Sequence, residues 1–106
     1  MPKATEEKLL KSETVFEGKE IRIRRDTFET VSGAPVEKDI VERPNEVLII
    51  PKISNHEIIL VRQFRRGVRE VVMELPGGKM EEGESAEEAA RRELEEETGY
   101  RAEKLE

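Results

Sequence analysis

The run Ser85-Ala86-Glu87-Glu88, closed downstream by Gly99, leaves the segment between them little choice but a helix. Ser85 with Glu88 three residues on is a capping box, in which hydroxyl and carboxylate each satisfy an N–H of the opening turn. Gly99 takes the left-handed conformation that stops a helix, so the pattern predicts a helix over 86–98. On that helix Glu93, Glu96 and Glu97 stand at i, i+3 and i, i+4 and project from one face. Ala86, Ala89, Ala90 and Leu94 form a narrow apolar stripe on which it can pack closely. Just upstream, Pro76-Gly77-Gly78 reads as a tight turn whose bare backbone can approach a ligand or a metal.

A glutamate-rich helix is often a solvated face, and part of this one reads that way. Glu87–Arg91, Glu88–Arg92 and Arg91–Glu95 are i, i+4 pairs of opposite sign, each worth about 0.2–0.5 kcal/mol. Glu93 and Glu97 are different: a like-charge i, i+4 pair is mildly destabilising unless a cation sits between them. Clustered carboxylates are the donors that Mg²⁺ takes, and Mg²⁺ commonly bridges them to substrate phosphates.

The chain has 106 residues, enough for one domain with a modest core. It has no cysteine, which excludes a disulfide framework and a thiolate metal site. Residues 81–106 hold 11 acidic and 4 basic residues, so the net charge of −6 belongs to the helix segment. A nucleic-acid face would need a broad basic surface, and the one basic cluster, Arg62, Arg65, Arg66 and Arg69, is short. Neither a long apolar run nor a signal-peptide pattern is present, so no membrane partner and a cytoplasmic location are expected.

Upstream the chain reads as β-structure. Residues 1–12 are charged and read as a frayed terminus or a short helix. Residues 14–31 alternate in part, and Ser32-Gly33-Ala34-Pro35 turns the chain before Val36 to Val41, which predicts a small antiparallel sheet. Val47–Ile50 and Ile58–Val61, joined across Ser54-Asn55-His56, read as a hairpin buried on both faces. Val71–Leu75 is a further strand leading into the Pro-Gly-Gly turn, and His56 reads as an ordinary loop residue. The boundary is expected near residue 45, with an N-terminal β domain over 1–45 and a second domain over 46–106.

The residues from Gly78 to Tyr100 resemble the signature of the Nudix hydrolases, G-x5-E-x7-R-E-U-x-E-E-x-G-U with U a bulky apolar residue. Gly78, Glu84, Arg92, Glu93, Leu94, Glu96, Glu97, Gly99 and Tyr100 match it, Tyr100 most loosely. The resemblance implies an α/β Nudix fold: a mixed sheet with the box helix against one face, preceded by the small antiparallel sheet. It implies Mg²⁺ or Mn²⁺ as cofactor, with Glu93, Glu96 and Glu97 as ligands and the Gly77 carbonyl as a further one. Arg92 and Glu84 would orient those carboxylates.

The flanks, Val61-Arg62-Gln63-Phe64-Arg65 and Glu74-Leu75-Pro76-Gly77-Gly78, resemble ADP-ribose pyrophosphatases. That likeness implies hydrolysis of ADP-ribose, or a related nucleoside diphosphate sugar, to AMP and ribose 5-phosphate. It also implies a homodimer that exchanges N-terminal strands, both subunits lining the site. Arg62 and Arg65 are read as facing one side within reach of a diphosphate, or else as strand-edge gatekeepers. Two alternatives stay open: another Nudix activity, on a dinucleotide or noncanonical nucleoside triphosphate, and a non-catalytic module binding nucleotide or protein. Family members continue past the box through more strands, a mobile loop that carries the proposed base, and a final helix. The 106 residues are therefore expected to be a piece of a longer product.

Overall fold

The computed structural model describes residues 6–106. They form seven strands and one helix: β1 (Lys8–Glu17), β2 (Arg22–Glu29), β3 (Pro35–Glu42), β4 (Glu46–Leu48), β5 (Val61–Arg65), β6 (Glu70–Glu74), β7 (Gly77–Lys79) and α1 (Ala86–Thr98). The chain divides into two compact units, one ending at Pro44 and the other spanning Asn45–Glu106.

The first unit is an antiparallel sheet in the order β1-β2-β3. Gly18 N–H donates to the Ile21 carbonyl at 2.8 Å and closes the first hairpin. Gly33, at φ 87°, closes the second, where a residue with a side chain would be strained. Residues 8–12 belong to β1, which corrects the expectation of a frayed end or short helix there. The pairing supplies the reason, since Lys8, Leu9, Lys11 and Ser12 have cross-strand partners from Glu29 to Asp26. The part of that expectation covering residues 1–5 lies outside the described residues. On β2, Asp26 is buried, with Ser12 Oγ donating to it at 2.5 Å and Arg24 Nε at 2.8 Å. Arg24 also bonds Glu42, which Arg22 reaches at 2.7 Å, so one polar network ties all three strands.

In the second unit the sequence reading needs three corrections. Pro76-Gly77-Gly78 is not a tight turn: Gly77–Lys79 is a strand, antiparallel to β4 with Leu48 opposite Gly77 and Val47 opposite Gly78. Glycine permits this approach, because a Cβ on Gly77 would press into the Val47 carbonyl oxygen and lie 3.2 Å from Leu48 Cα. The Ile49 N–H to the Pro76 carbonyl (2.9 Å) and the Met80 N–H to the Asn45 carbonyl (2.8 Å) extend the ladder at both ends.

The second correction concerns the Val47–Ile50 and Ile58–Val61 hairpin. The chain does reverse between them, with Ile59 N–H donating to the Pro51 carbonyl at 3.0 Å and a single bridge from Lys52 to Ile58. The hairpin is not buried on both faces, however. Ile49 is 7% exposed while Leu48 and Ile50 are 72% and 65% exposed, the alternation of a strand covered on one side only. β5 pairs instead with β6, through a loop in which Arg69 adopts a left-handed φ of 58°. The third correction is small: α1 packs on β7 and β4 through buried Ala89 and Leu94, while Ala86 is exposed in the first turn.

Candidate functional site

Local chemistry sets where α1 begins and ends. The Glu88 N–H donates to Ser85 Oγ at 3.1 Å and the Ser85 N–H to Glu88 Oε1 at 3.4 Å, completing the capping box. Gly99, at φ 77°, donates to the Glu95 carbonyl at 2.9 Å and ends the helix. With its ends fixed and Ala89 and Leu94 turned inward, the helix must lay Glu93 and Glu97 over β7. Glu97 Oε2 accepts from the Gly77 N–H at 3.2 Å. Glu93 rests on Gly78 so closely that a Cβ there would lie 2.5 and 2.6 Å from its two carboxylate oxygens. Two carboxylates of one helix face thus sit directly on bare glycine backbone.

Arg92 organises the acids around this cradle. Its Nε and Nη2 grip Glu84 in a two-pronged pair at 2.7 and 2.9 Å. Its Nη1 donates to Glu93 Oε1 at 2.8 Å and Glu96 Oε2 at 3.2 Å, and Nη2 also reaches the Lys79 carbonyl at 3.0 Å. The Arg92 fork and the Glu81 N–H hold the Glu84 carboxyl down at about 2. Glu84, and then Glu93, push the Arg92 guanidinium above its ordinary value, so it remains a cation at every working pH. One permanent positive charge therefore links Glu84, Glu93 and Glu96, offsetting the repulsion that crowding them creates.

Of the residues expected at the site, Glu84, Arg92, Glu93, Glu97 and Gly77 come together around β7 and the face of α1. Glu96 joins them through Arg92, with its side chain 58% exposed. Among the described residues no three acidic or histidine side chains converge tightly enough to enclose a cation, and Arg92 is bonded to both Glu93 and Glu96. The donor chemistry nevertheless fits a hard divalent cation: every candidate donor is an oxygen, and glycine at position 78 is what lets the Glu93 carboxylate lie against the backbone of β7.

Two expectations about charge need correction. Of the three i, i+4 pairs expected from spacing, only Glu87–Arg91 forms, at 3.2 Å, while Arg92 makes an unexpected one with Glu96. Arg92 turns to Glu84 rather than Glu88, whose carboxylate caps the helix, and Glu95 pairs with Arg101 at 3.2 Å. Arg62 and Arg65 do not share a side, since a separation of three in a strand of period two puts them on opposite faces.

Residues that sequence reasoning missed include Glu74, which accepts from Arg65 Nε at 2.6 Å, and the Lys79 carbonyl that Arg92 grips. Seeing the first requires the β5–β6 register, and seeing the second requires knowing that Lys79 ends a strand beside the helix. The buried Asp26 had no signal either, because Arg24-Arg25-Asp26 reads as a solvated strand.

Comparison with known proteins places this geometry in context. The family model described as the NUDIX domain matches residues 42–106. The chain is 41% identical over 103 residues to an ADP-ribose pyrophosphatase of Bacillus subtilis (strain 168), covering 97% of this chain and 56% of that one. It is 38% identical over 106 residues to the methanol dehydrogenase activator of Bacillus methanolicus, covering 100% of this chain and 57% of the relative. A solved structure described as an ADP compounds hydrolase superposes with a TM-score of 0.77 at 28% identity, over 100% of this chain and 58% of the other. The chain spans about half the length of the curated relatives it matches.

Proposed function

The chain belongs to the Nudix family, and on that premise we propose that it hydrolyses ADP-ribose, or a related nucleoside diphosphate sugar, to AMP and ribose 5-phosphate with the help of Mg²⁺ or Mn²⁺. The observation that carries this reading is the seating of Glu93 and Glu97 on Gly78 and Gly77. Carboxylates held against bare backbone, with a further one beside them on Arg92, are suited to a cation that must also meet a diphosphate.

Glu93, Glu96 and Glu97, with the Gly77 carbonyl, would hold the cation. Bound there, it supplies neutralisation of diphosphate charge and acidification of an attacking water. The chain's own residues do the positioning. Arg92 fixes the rotamers of Glu93 and Glu96, and Glu84 fixes Arg92 in turn. Arg65, on the edge of the β5–β6 hairpin, offers a planar fork to a phosphate oxygen. Arg62, on the opposite strand face, is the weaker candidate for that contact.

A homodimer belongs to the same reading. In the first unit Leu9, Leu10, Phe16, Val31 and Val41 are exposed, and a three-stranded sheet needs packing against something to be stable. A second copy of that sheet, related by a two-fold axis, would supply it. No helix among the described residues is long and apolar enough to cross a membrane, and a cytoplasmic location is part of the proposal.

The test is kcat/KM for ADP-ribose, ADP-sugars, diadenosine polyphosphates and deoxynucleoside triphosphates at equal Mg²⁺, with products separated by chromatography. ADP-ribose or an ADP-sugar should lead, and AMP should appear in step with the sugar phosphate. A preference for a triphosphate would replace this reading with another activity of the family.

A further inference from the structure

Of the four acids around the cradle, three rest on backbone. Glu84 accepts from the Glu81 N–H at 2.9 Å, Glu97 accepts from the Gly77 N–H at 3.2 Å, and Glu93 lies against Gly78. Glu96 has no such support. Among the described residues it is bonded to Arg92 Nη1 alone, at 3.2 Å, the longest of the hydrogen bonds that this guanidinium makes. Its side chain is 58% exposed, against 11% for Glu84 and 14% for Glu93. Arg92 cannot follow if Glu96 leaves, because two prongs of Glu84 and the Lys79 carbonyl pin it in place.

An exposed ion pair shifts an equilibrium by about fivefold at most, whereas a divalent cation attracts a carboxylate with twice the charge of a guanidinium. Glu96 also stands three residues from Glu93 and next to Glu97, so a turn of its own side chain re-aims it along the same helix face. We propose that Glu96 is a swinging ligand: it is parked on Arg92 Nη1 and turns onto a divalent cation once Glu93 and Glu97 hold that cation, while Arg92 stays on Glu84 and Glu93. This rests on the assignment of Glu93 and Glu97 as metal ligands. Arg92 then has two separate tasks, fixing Glu93 and lending Glu96, and the most exposed acid of the set is the one by which the cation enters and leaves.

The test uses the whole chain with Mn²⁺ and no substrate, and reads geometry and hydration. In crystals grown with Mn²⁺, Glu96 should lie on the cation and beyond hydrogen-bond range of Arg92 Nη1, with both Glu84 prongs intact. A cation on Glu93 and Glu97 with Glu96 still on Arg92, or an Arg92 drawn off Glu84, overturns the swing. In solution, water-proton relaxation counts the waters on bound Mn²⁺. E96A, which alanine's helix preference lets fold, should bind Mn²⁺ more weakly and with one more water than the parent. E87A removes the same charge from α1 where Glu87 pairs with Arg91, and should add no water. A parental water count in E96A, or an added water in both variants, overturns the swing. E97Q separates the two claims. If E97Q leaves Mn²⁺ affinity intact, the metal assignment fails and the swing with it; if E97Q abolishes binding while E96A keeps the parental water count, only the swing fails.

Discussion

Gly78→Ala isolates the geometry on which the site depends. The added Cβ would lie 2.5 and 2.6 Å from the two oxygens of Glu93, whereas unbonded heavy atoms settle at about 3.5 Å. The carboxylate must therefore retreat by about 1 Å. The obstacle is the end of a flexible side chain, so the backbone need not move and the fold should survive. A retreat on that scale stretches the 2.8 Å bond from Arg92 beyond hydrogen-bond range and takes the donor well outside the ~0.2 Å tolerance of a metal ligand. Loss of such ordering weakens metal binding by about 10–100-fold, and an error of about 1 Å in a catalytic geometry lowers turnover by about 100-fold.

Gly77→Ala is the built-in contrast. There the Cβ meets the Val47 carbonyl oxygen and Leu48 Cα, backbone atoms of the paired strand that cannot swing aside. Overpacking of that kind costs about 1–3 kcal/mol, and about 4–8 °C in Tm for each kcal/mol in a domain of this size. Calorimetric Mn²⁺ titration and thermal unfolding of both variants give the answer. Weak Mn²⁺ binding with native Tm is expected for Gly78→Ala, and a lowered Tm for Gly77→Ala. Native Mn²⁺ affinity in Gly78→Ala would refute the claim that Glu93 is a ligand seated on that glycine.

Three further outcomes follow from the same structure. Ser85→Ala removes the hydroxyl that accepts from Glu88 N–H and should destabilise the second unit by about 1 kcal/mol, seen as a lower Tm without change in Mn²⁺ stoichiometry. Glu84, held at about 2 in the fold against an ordinary 4.5, contributes stability above the higher value that is lost as pH falls toward the lower. Unfolding of the second unit followed from pH 5 to pH 2 should therefore lose stability more steeply in the parent than in Glu84→Gln, and parallel curves would refute the Arg92 clamp. The proposed homodimer would give a Tm that rises with protein concentration. A chain that sediments as a monomer at micromolar concentration and still turns over would rule it out.

What could be read from the residue string follows the range of the interactions. Ser85, Glu88 and Gly99 act within one turn of their own position, so the helix and its glutamate face were legible. The antiparallel pair β2–β3 was legible for the same reason, since Gly33 closes it locally. The β4–β7 ladder was not, because Gly77-Gly78 carries a turn's composition and only a distant partner makes it a strand. Glu88–Arg92 looked sound by spacing but lost to Glu84, which offers Arg92 a two-pronged contact that a helix neighbour already engaged as a cap does not. Leu48 and Ile50 showed a continuous apolar run, and nothing in the run says that only Ile49 finds cover. Asp26 and Glu74 depend on cross-strand register, which the order of residues does not display.

If Glu93, Glu96 and Glu97 together present a divalent cation to a diphosphate, Glu97→Gln should disable the site. The substitution keeps an oxygen to accept from the Gly77 N–H while removing one negative charge. The measurement is the rate of ADP-ribose hydrolysis as a function of Mg²⁺ concentration, parent against variant, at matched folding by circular dichroism. The parent's rate should rise and saturate with Mg²⁺ while the variant stays near background at every concentration. A variant that turns over at the parental rate with the same Mg²⁺ dependence would contradict that assignment.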